Sequence, residues 1–261
     1  MTDRAVAALE PLLGDVAPIG LDVLEHRSAL QRRVDRKYVI EIDVAERLVG
    51  ELAADHDALE IDRRRLFGYE SVYFDTPDLD CFRDQMADRL PRFKVRSRLY
   101  VDSGHCSFEV KLKLGDDSTA KQHGPCDISS HGRLIPDARA FVEATLRDAG
   151  LEPPARLDPV LVTRFRRGTL AARDGSARVT YDVDLSLERP DGDAARLHEG
   201  LVIVETKTPD GGGRADDLLR DAGVEEVSLS KYRAGITLLT AAQETDGERA
   251  QHWRRWFAPE R

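Results

Sequence analysis

Basic side chains recur at alternate positions of two neighbouring segments, residues 92–101 and 106–114. They are Lys94, Arg96, Arg98, Lys111 and Lys113. Because alternate side chains of an extended chain share one face, each segment predicts a strand with a basic face. Guanidinium groups bind phosphate oxygens in a planar, bidentate geometry. The pattern therefore indicates either the solvated side of a sheet or a surface that binds a phosphate-rich anion.

The basic segments are unusual because the chain as a whole is acidic. Its 261 residues carry a net charge of −9, which argues against a general nucleic-acid-binding protein. Residues 89–113 nevertheless contain seven basic residues and only two acidic ones, Asp102 and Glu109. Solvated faces usually mix both signs of charge. The local excess of cations therefore favours anion binding over simple solvation.

Composition and cysteine content indicate what class of protein the chain belongs to. A hydrophobic content of 41% and a charged content of 33% are typical of a globular protein. No apolar run approaches the roughly 18 residues needed to span a bilayer, and the N-terminus does not resemble a signal peptide. The cysteines Cys81, Cys106 and Cys126 lack metal-binding spacing, which predicts free thiols in a reducing cytosol. We expect a cytoplasmic protein that is not itself transmembrane.

The strands and helices that position the cations are predicted from hydrophobic periodicity and from turn residues. Strands are predicted at residues 35–43, 69–75, 92–101, 106–114, 159–170, 177–188 and 200–208. Helices are predicted within residues 1–33 and at 44–56, 137–150, 214–223, 228–243 and 247–261. A hairpin turn is predicted at 102–105 and a polar loop at 115–125. Sequential antiparallel strands predict one domain around a sheet that curls or closes, which could bring several charged faces into one cavity.

Polar residues at element ends have local roles in this scheme. Asp43 and Ser230 are predicted N-caps of helices, and Asp75 is a predicted turn cap. For Asp182 and Asp184 the sequence leaves two interpretations open, metal ligands or ion-pair partners of cations such as Arg178.

Eight stretches, taken in order, resemble the vacuolar transporter chaperone (VTC) domain. This is the polyphosphate polymerase branch of the triphosphate tunnel metalloenzymes, a CYTH-like superfamily. The stretches are "RVDRKYVI" (33–40), "YESVYFDTPDLDCF" (69–82), "RFKVRSRLY" (92–100), "FEVKLK" (108–113), "RFRRGTL" (164–170), "RVTYDVDL" (178–185), "VIVETKT" (202–208) and "SLSKYRAGI" (228–236). Each stretch is weak alone, but the ordered set is fairly specific.

The resemblance implies an α+β fold, an antiparallel eight-stranded β-barrel tunnel with flanking helices. The tunnel domain would cover residues 33–243, between an N-terminal helical segment (1–32) and a C-terminal helical tail (244–261). The implied reaction transfers the γ-phosphate of ATP to a growing polyphosphate chain and releases ADP. Such a transfer depends on positioning and charge neutralisation, which Arg, Lys and a metal ion supply.

The resemblance also implies residue roles. Catalytic contacts with the phosphates fall to Arg96, Arg98, Lys111 and Arg167. Substrate binding falls to Lys37, Lys121, Arg178 and Lys231. Glu205, with Glu109, would hold Mn²⁺ or Mg²⁺. Lys94 shares the basic face of its strand but is less securely tied to the motif.

One departure from the wider superfamily bears on the reaction. Hydrolytic tunnel enzymes usually begin with Glu-x-Glu-x-Lys, whereas this chain has Arg33, Asp35 and Lys37 at those positions. The change disfavours a tunnel triphosphatase that acts on tripolyphosphate or a nucleoside triphosphate. That enzyme and a non-catalytic polyphosphate- or nucleotide-binding module remain the alternatives.

The expected partners are ATP and polyphosphate, and not nucleic acid. The chain shows neither the inositol-phosphate-sensing domain nor the membrane helices of the eukaryotic complex. Regulation and membrane coupling are therefore expected from a membrane-protein partner, and the sequence indicates no oligomeric state.

Overall fold

The computed structural model describes residues 3–27, 33–115, 119–240 and 247–260. Its helices are α1 (Arg4–Asp15), α2 (Leu21–Arg27), α3 (Ile42–Leu52), α4 (Asp80–Met86), α5 (Pro136–Asp148), α6 (Arg214–Asp221), α7 (Lys231–Leu239) and α8 (Gly247–Arg254). Its strands are β1 (Pro18–Ile19), β2 (Val34–Glu41), β3 (His56–Leu59), β4 (Phe67–Asp75), β5 (Arg92–Tyr100), β6 (His105–Lys113), β7 (Thr119–Cys126), β8 (Asp158–Ala172), β9 (Arg178–Glu188), β10 (Ala194–Leu197), β11 (Leu201–Thr208) and β12 (Phe257–Glu260). No helix in these ranges is long and apolar enough to cross a bilayer.

The chain divides into two compact units. Unit 1 contains Met1–Gly68, Phe165–Leu185 and Leu197–Leu229, and unit 2 contains Tyr69–Arg164, Ser186–Arg196 and Ser230–Arg261. The predicted domain boundaries at residues 33 and 243 stay a prediction, and residues 28–32 and 241–246 lie outside the described part of the chain.

Unit 1 is built on three antiparallel strands, β2, β11 and β9, with β11 in the middle. Helices α1 and α3 pack on the apolar face of these strands. Leu9 and Leu13 of α1 lie one helical turn apart and share a core with Leu52 of α3 and with Tyr38 and Val204 of the strands. The alternation of β2 therefore places Tyr38 in the core and Lys37 on the opposite face.

Unit 2 contains the antiparallel run β4, β5, β6 and β7. Its apolar face packs on α5, where Phe108 and Val110 of β6 meet Val142 and Leu146 of the helix. All four side chains are at most 1% exposed, and burial of each contributes about 1.5–3 kcal/mol. This packing turns the other face of β5 and β6, which carries the cations, away from α5.

Asp75 anchors the end of β4 in unit 2. This fully buried carboxylate accepts hydrogen bonds from the backbone N–H groups of Thr76, Cys81 and Phe82, at 2.7, 2.9 and 3.0 Å. It also accepts one from the hydroxyl of Tyr232 in α7. The predicted capping role of Asp75 is confirmed, and the same carboxylate connects α4 and α7 to the strand.

The α+β class with an antiparallel sheet and flanking helices is confirmed. The pairs whose register is described are antiparallel except for the short parallel pair of β1 and β3. Among the described strands, β2 pairs only with β11 and β7 pairs only with β6. Hydrogen bonds between these strands therefore leave two edges, and they do not close the eight-stranded ring that the resemblance implies.

The polar loop predicted at 115–125 is wrong for most of its length. Residues 119–126 form β7, an edge strand paired along its length with β6. Six of its eight residues are exposed. Because neither face of an edge strand needs to be apolar here, the segment has no alternation that would have indicated a strand.

Three further predictions need correction. Cys106 and Cys126 form a disulfide, so the prediction of free thiols holds only for the buried Cys81. The C-terminal segment continues beyond α8 into β12 and buries Trp253, so it is more than a surface helix. Helix α3 starts at Ile42, which places Asp43 in its first turn rather than at the N-cap.

Candidate functional site

Unit 2 brings one carboxylate and two cations together on the basic face of its strands. The register places Arg96 of β5 opposite Glu109 of β6. Nε of Arg96 donates to Oε2 of Glu109 at 2.6 Å, and Nζ of Lys121 lies 2.9 Å from Oε1. Nη1 of Arg96 donates to the hydroxyl of Tyr73 at 3.0 Å. These four residues, the Arg96 cluster, lie on the four neighbouring strands β4, β5, β6 and β7.

The Arg96 cluster holds more positive than negative charge. Burial opposes ionisation of Glu109, but the charges of Arg96, Arg98 and Lys121 lower its pKa to about 2. Burial lowers the pKa of Lys121 to about 8, although Glu109 opposes this shift. The pKa of Tyr73 is lowered, because the charges of Arg96 and Arg98 outweigh the effect of burial. At pH 7 a permanent anion therefore orients the cations, and an excess of positive charge remains for a ligand.

Arg98 lies two residues further along β5 and is only 9% exposed. Its Nε donates to Oγ of Ser71 at 3.2 Å, and its guanidinium lies over the ring of Tyr69, 5.5 Å from the centroid. Both of these partners are neutral, and they orient the guanidinium. Neither Arg96 nor Arg98 is turned toward bulk solvent.

Lys94 lies close to the Arg96 cluster, although the family motif gave weaker support for a role of this residue. It lies opposite Lys111, and its Nζ donates to Oγ of Ser230 at 3.4 Å. Burial, followed by the charges of Lys111, Arg96 and Arg233, lowers its pKa to about 7. Within the described residues Lys94 forms no ion pair with a carboxylate. Like charges directly opposite each other destabilise a sheet, and a bound anion would reduce this repulsion.

Helix α7 carries two further basic residues that lie close to the cations of β5. Ser230 caps the helix by accepting from the backbone N–H of Arg233, which confirms the predicted N-cap. Lys231 is the first helical residue, and its charge contributes to the lowered pKa of Tyr73. The cap therefore holds Lys231 and Arg233 close to the cations of β5.

Unit 1 holds a second carboxylate surrounded by cations, the Glu205 cluster. Lys37 of β2 lies opposite Glu205 of β11, with Nζ 3.5 Å from Oε1. Nζ of Lys207 and Nη2 of Arg167 lie 2.8 and 3.9 Å from Oε2. Burial opposes ionisation of Glu205, but the charges of Lys207, Lys37 and Arg167 lower its pKa well below its usual range.

Asp182 orients Arg167 within the Glu205 cluster. Nε and Nη2 of Arg167 donate to the two carboxylate oxygens of Asp182 at 2.6 and 2.7 Å. This bidentate geometry fixes the plane of the guanidinium. Of the two open interpretations of Asp182, the structure shows an ion pair, and Arg167 is its partner in this pair.

Arg178 lies beside the Glu205 cluster rather than within it. It is opposite Lys207 in the register of β9 and β11, and its Nη2 donates to the carbonyl of Leu24 at 3.4 Å. A cavity of about 400 Å³ adjoins the cluster on the side of Lys37, and Asp35, Glu226 and residues 227–229 complete its lining.

The predicted site residues therefore fall into two groups, one in each unit. Unit 2 holds Arg96, Arg98, Glu109, Lys111, Lys121 and Lys231, and unit 1 holds Lys37, Arg167, Arg178 and Glu205. Sequence reasoning left Tyr73, Lys207 and Arg233 out of the site. Lys207 had a usable signal, because it alternates with Glu205 along one strand. Tyr73 and Arg233 had none, because their places depend on the strand register and on the docking of α7.

Glu205 and Glu109 are candidate oxygen donors for a metal ion. Within the described residues no group of three or more His, Cys, Asp or Glu side chains could hold a metal. Mg²⁺ and Mn²⁺ nevertheless bind well through one or two carboxylates when substrate phosphates supply the other oxygens. Glu205 and Glu109 are ionised oxygen donors of this kind.

Comparison with known proteins identifies a family. The sequence profile described as VTC domain matches residues 32–240. No curated protein matches the chain.

Several solved structures are similar to the chain at low sequence identity. The putative adenylyl cyclase HpAC1 from Hippeastrum is 14% identical, with 78% of this chain and 95% of that chain covered and a TM-score of 0.52. A putative adenylate cyclase from Bacillus halodurans is 14% identical, with coverages of 77% and 94% and a TM-score of 0.47. The PH1819 protein from Pyrococcus horikoshii is 15% identical, with coverages of 78% and 95% and a TM-score of 0.44. The first of these indicates a shared fold.

Proposed function

The chain belongs to the VTC domain family, and on that premise we propose that it is a polyphosphate polymerase. The proposed reaction transfers the γ-phosphate of ATP to the end of a growing polyphosphate chain. An oxygen of the terminal phosphate attacks the γ-phosphorus, the bond from that phosphorus to the β,γ-bridging oxygen breaks, and ADP leaves with the electron pair.

The observation that carries the proposal is the excess of oriented cations around a single ionised carboxylate in each unit. In unit 2 the carboxylate is Glu109, and in unit 1 it is Glu205. Phosphoryl transfer spreads negative charge over the oxygens of the transferred group, so oriented cations stabilise its transition state. Cations distributed over several strands suit a chain of phosphates better than they suit a single small anion.

Each predicted residue receives a role in this proposal. Arg96, Arg98, Lys111 and Arg167 contact the phosphates that react. Lys37, Lys121, Arg178 and Lys231 bind the remaining phosphates of ATP or of the polymer. Asp182 and Tyr73 position guanidinium groups through the hydrogen bonds described above.

Glu205 and Glu109 are the residues that we propose to hold Mn²⁺ or Mg²⁺. The metal, when bound, neutralises charge on the phosphate oxygens. In the absence of a ligand, the same carboxylates hold the cations of their clusters at defined distances. These ion pairs offset the repulsion between like charges on neighbouring strands.

A tunnel triphosphatase is the second candidate. HpAC1, which shares the fold, has a dominant triphosphatase activity. Against this interpretation, Arg33 and Asp35 stand where hydrolytic tunnel enzymes usually carry two glutamates. A module that binds polyphosphate without turnover is the third candidate, since binding and transfer use nearly the same residues.

Three measurements on the purified protein separate the three candidates. Purified protein is incubated with ATP and Mn²⁺ or Mg²⁺, and long chains are detected by their sensitivity to a polyphosphatase. We expect such chains from the wild type and a loss of roughly 100-fold or more in Arg96→Ala, with no loss in the control Arg254→Ala, an exposed residue of α8. Orthophosphate release from tripolyphosphate without polymer would select the triphosphatase, and tight binding without turnover would select the binding module.

A further inference from the structure

The disulfide between Cys106 and Cys126 lies outside both cation clusters and has an unusual neighbour. The two cysteines are opposite each other at the end of the β6–β7 pair, 20 residues apart in sequence. Nδ1 of His131 lies 3.8 Å from Sγ of Cys106. Cys106 is 5% exposed, whereas Cys126 is partly exposed, so one sulfur is shielded and the other is open to a reagent.

The ring of His131 is oriented by Glu70 on β4. Nε2 of His131 and Oε1 of Glu70 are 3.1 Å apart. The hydrogen bond from His131, together with one from Arg164 at 2.6 Å, lowers the pKa of Glu70 to about 2 against the effect of burial. An ionised carboxylate can only accept a hydrogen bond, so Nε2 carries a proton. Nδ1 is therefore the nitrogen that faces Cys106.

The backbone around His131 is held in place independently of this contact. The N–H of Gly132 donates to the fully buried Oγ of Ser97 on β5 at 3.0 Å. Gly132 has a φ of +75°, which favours glycine, and a Cβ there would lie 3.4 Å from Val72. The segment is thus docked on the sheet so that the ring stands between a carboxylate and a sulfur atom.

We propose that Cys106, Cys126, His131 and Glu70 form a thiol–disulfide exchange site whose reaction partner is a dithiol or a small thiol. The thiolate of the partner attacks the partly exposed Sγ of Cys126, the sulfur–sulfur bond breaks, and its electron pair leaves on Sγ of Cys106. A second thiolate of the partner then attacks the mixed disulfide and releases Cys126. In balance, two partner thiols are oxidised to a disulfide, and the protein disulfide is reduced to two thiols.

His131 and Glu70 act on the leaving sulfur. When Nδ1 takes a proton, the imidazolium stands between the Glu70 carboxylate and the Cys106 thiolate, and a positive charge beside a thiolate lowers the pKa of the thiol. A thiol of lower pKa leaves faster in exchange. His131 is therefore a catalytic residue of the exchange, and Glu70 is a positioning residue that acts through it.

The test measures how fast dithiothreitol reduces the disulfide at pH 7, with thiols trapped by alkylation and counted by mass spectrometry. We expect His131→Asn to slow reduction on the order of tenfold. Glu70→Gln should slow reduction by a smaller factor. The matched control is His105→Asn, since His105 precedes Cys106 on β6 but is exposed on the opposite face.

A second measurement covers the case in which a variant folds poorly. In the double variant Cys81→Ala, Cys126→Ala only Cys106 remains, and its thiol should titrate below the ordinary value of about 8.5 and move upward when His131→Asn is added. Equal reduction rates in wild type and His131→Asn, an unshifted Cys106 thiol, or the absence of an intramolecular disulfide after mild oxidation would each overturn the proposal. These outcomes are independent of whether the protein makes polyphosphate.

Discussion

Glu109 is the residue on which the order of the unit 2 cations depends. It is 2% exposed and holds Arg96 and Lys121 from two neighbouring strands. Its pKa of about 2 lies below the usual value of 4.5, so its ion pairs stabilise the folded state fully above pH 4.5. That contribution is lost as the pH falls from 4.5 through 2.

The first prediction follows from this linkage. Glu109→Gln should lower the free energy of unfolding at pH 7 by on the order of 3 kcal/mol. Below pH 4.5 the difference from wild type should narrow, because the wild-type carboxylate becomes neutral as well. Denaturant unfolding at pH 7 and pH 3 measures both values. A difference that is the same at the two pH values would show that the charge of Glu109 is not what stabilises the cluster.

Lys94 leads to a prediction about ligand binding rather than stability. Its pKa of about 7 reflects burial among cations, so near neutral pH a fraction of the side chain is neutral. A bound phosphate favours the charged form, and binding above pH 7 should therefore take up a proton. Lys121, with a pKa of about 8, should contribute to the uptake as well. Titration calorimetry with tripolyphosphate in two buffers of different ionisation enthalpy should therefore detect a larger uptake in wild type than in Lys94→Met.

The control for Lys94 is Lys113→Met, on the neighbouring strand at the end of the same basic face. It should keep the proton uptake of the wild type. An uptake as large in Lys94→Met as in wild type would place the titrating group elsewhere and would remove Lys94 from the site.

The sequence predicts a contact best when its residues lie close together along the chain. The shared face of Arg96 and Arg98 follows from alternation along one strand, and the sequence was sufficient for it. The pairing of Arg96 with Glu109 depends on the register of the hairpin, which the loop at 102–105 left undetermined. The bond between Lys94 and Ser230 joins residues 136 positions apart and depends on the docking of α7.

At the scale of elements, β7 is the strand that sequence patterns missed and that the site requires. It carries Lys121 opposite Lys111, and it pairs only with β6 among the described strands. Strands with one apolar face, such as β5 and β6, are recognisable from their alternating apolar residues. An exposed edge strand has no such constraint, so its position follows from pairing and from contact with α5 rather than from its own pattern.

Gly124 is the point at which β7 meets α5, and it supplies a third prediction. A Cβ at this position would lie 2.5–2.7 Å from the ring of Phe141, so the ring or the strand must shift. Gly124→Ala should lower the free energy of unfolding by about 1–3 kcal/mol and weaken tripolyphosphate binding, because the strand that carries Lys121 is displaced. Thermal unfolding and calorimetry test the two effects.

Gly20→Ala is the matched control for Gly124, because a Cβ there meets nothing within 4 Å. It should leave both measurements close to wild type. Unchanged stability in Gly124→Ala would mean that α5 and β7 can separate without cost, and it would contradict the packing described for unit 2.

At the scale of the whole molecule, the net charge and the local placement of the cations have opposite effects on the binding of polyanions. The net charge of −9 repels polyanions at long range, whereas the cations of the two clusters attract them at short range. These cations are also shielded, since the side chains of Arg96, Lys37 and Arg167 are 21%, 30% and 16% exposed. A slender phosphate chain can reach such groups more readily than a nucleic-acid duplex, whose phosphates lie on a wide cylinder.

This arrangement predicts discrimination between polyanions. Fluorescently labelled polyphosphate should bind at low ionic strength and weaken as salt is added, because screening reduces the attraction of the cations. Unlabelled polyphosphate should compete, whereas duplex DNA at the same phosphate concentration should not, since the negative net charge of the protein repels it and the cations are shielded. Arg96→Ala should weaken polyphosphate binding and flatten its salt dependence, while Arg254→Ala, at an exposed residue of α8, should change neither. Competition by duplex DNA as effective as that by polyphosphate would mean that exposed cations dominate binding, and the two clusters would then not be the polyphosphate site.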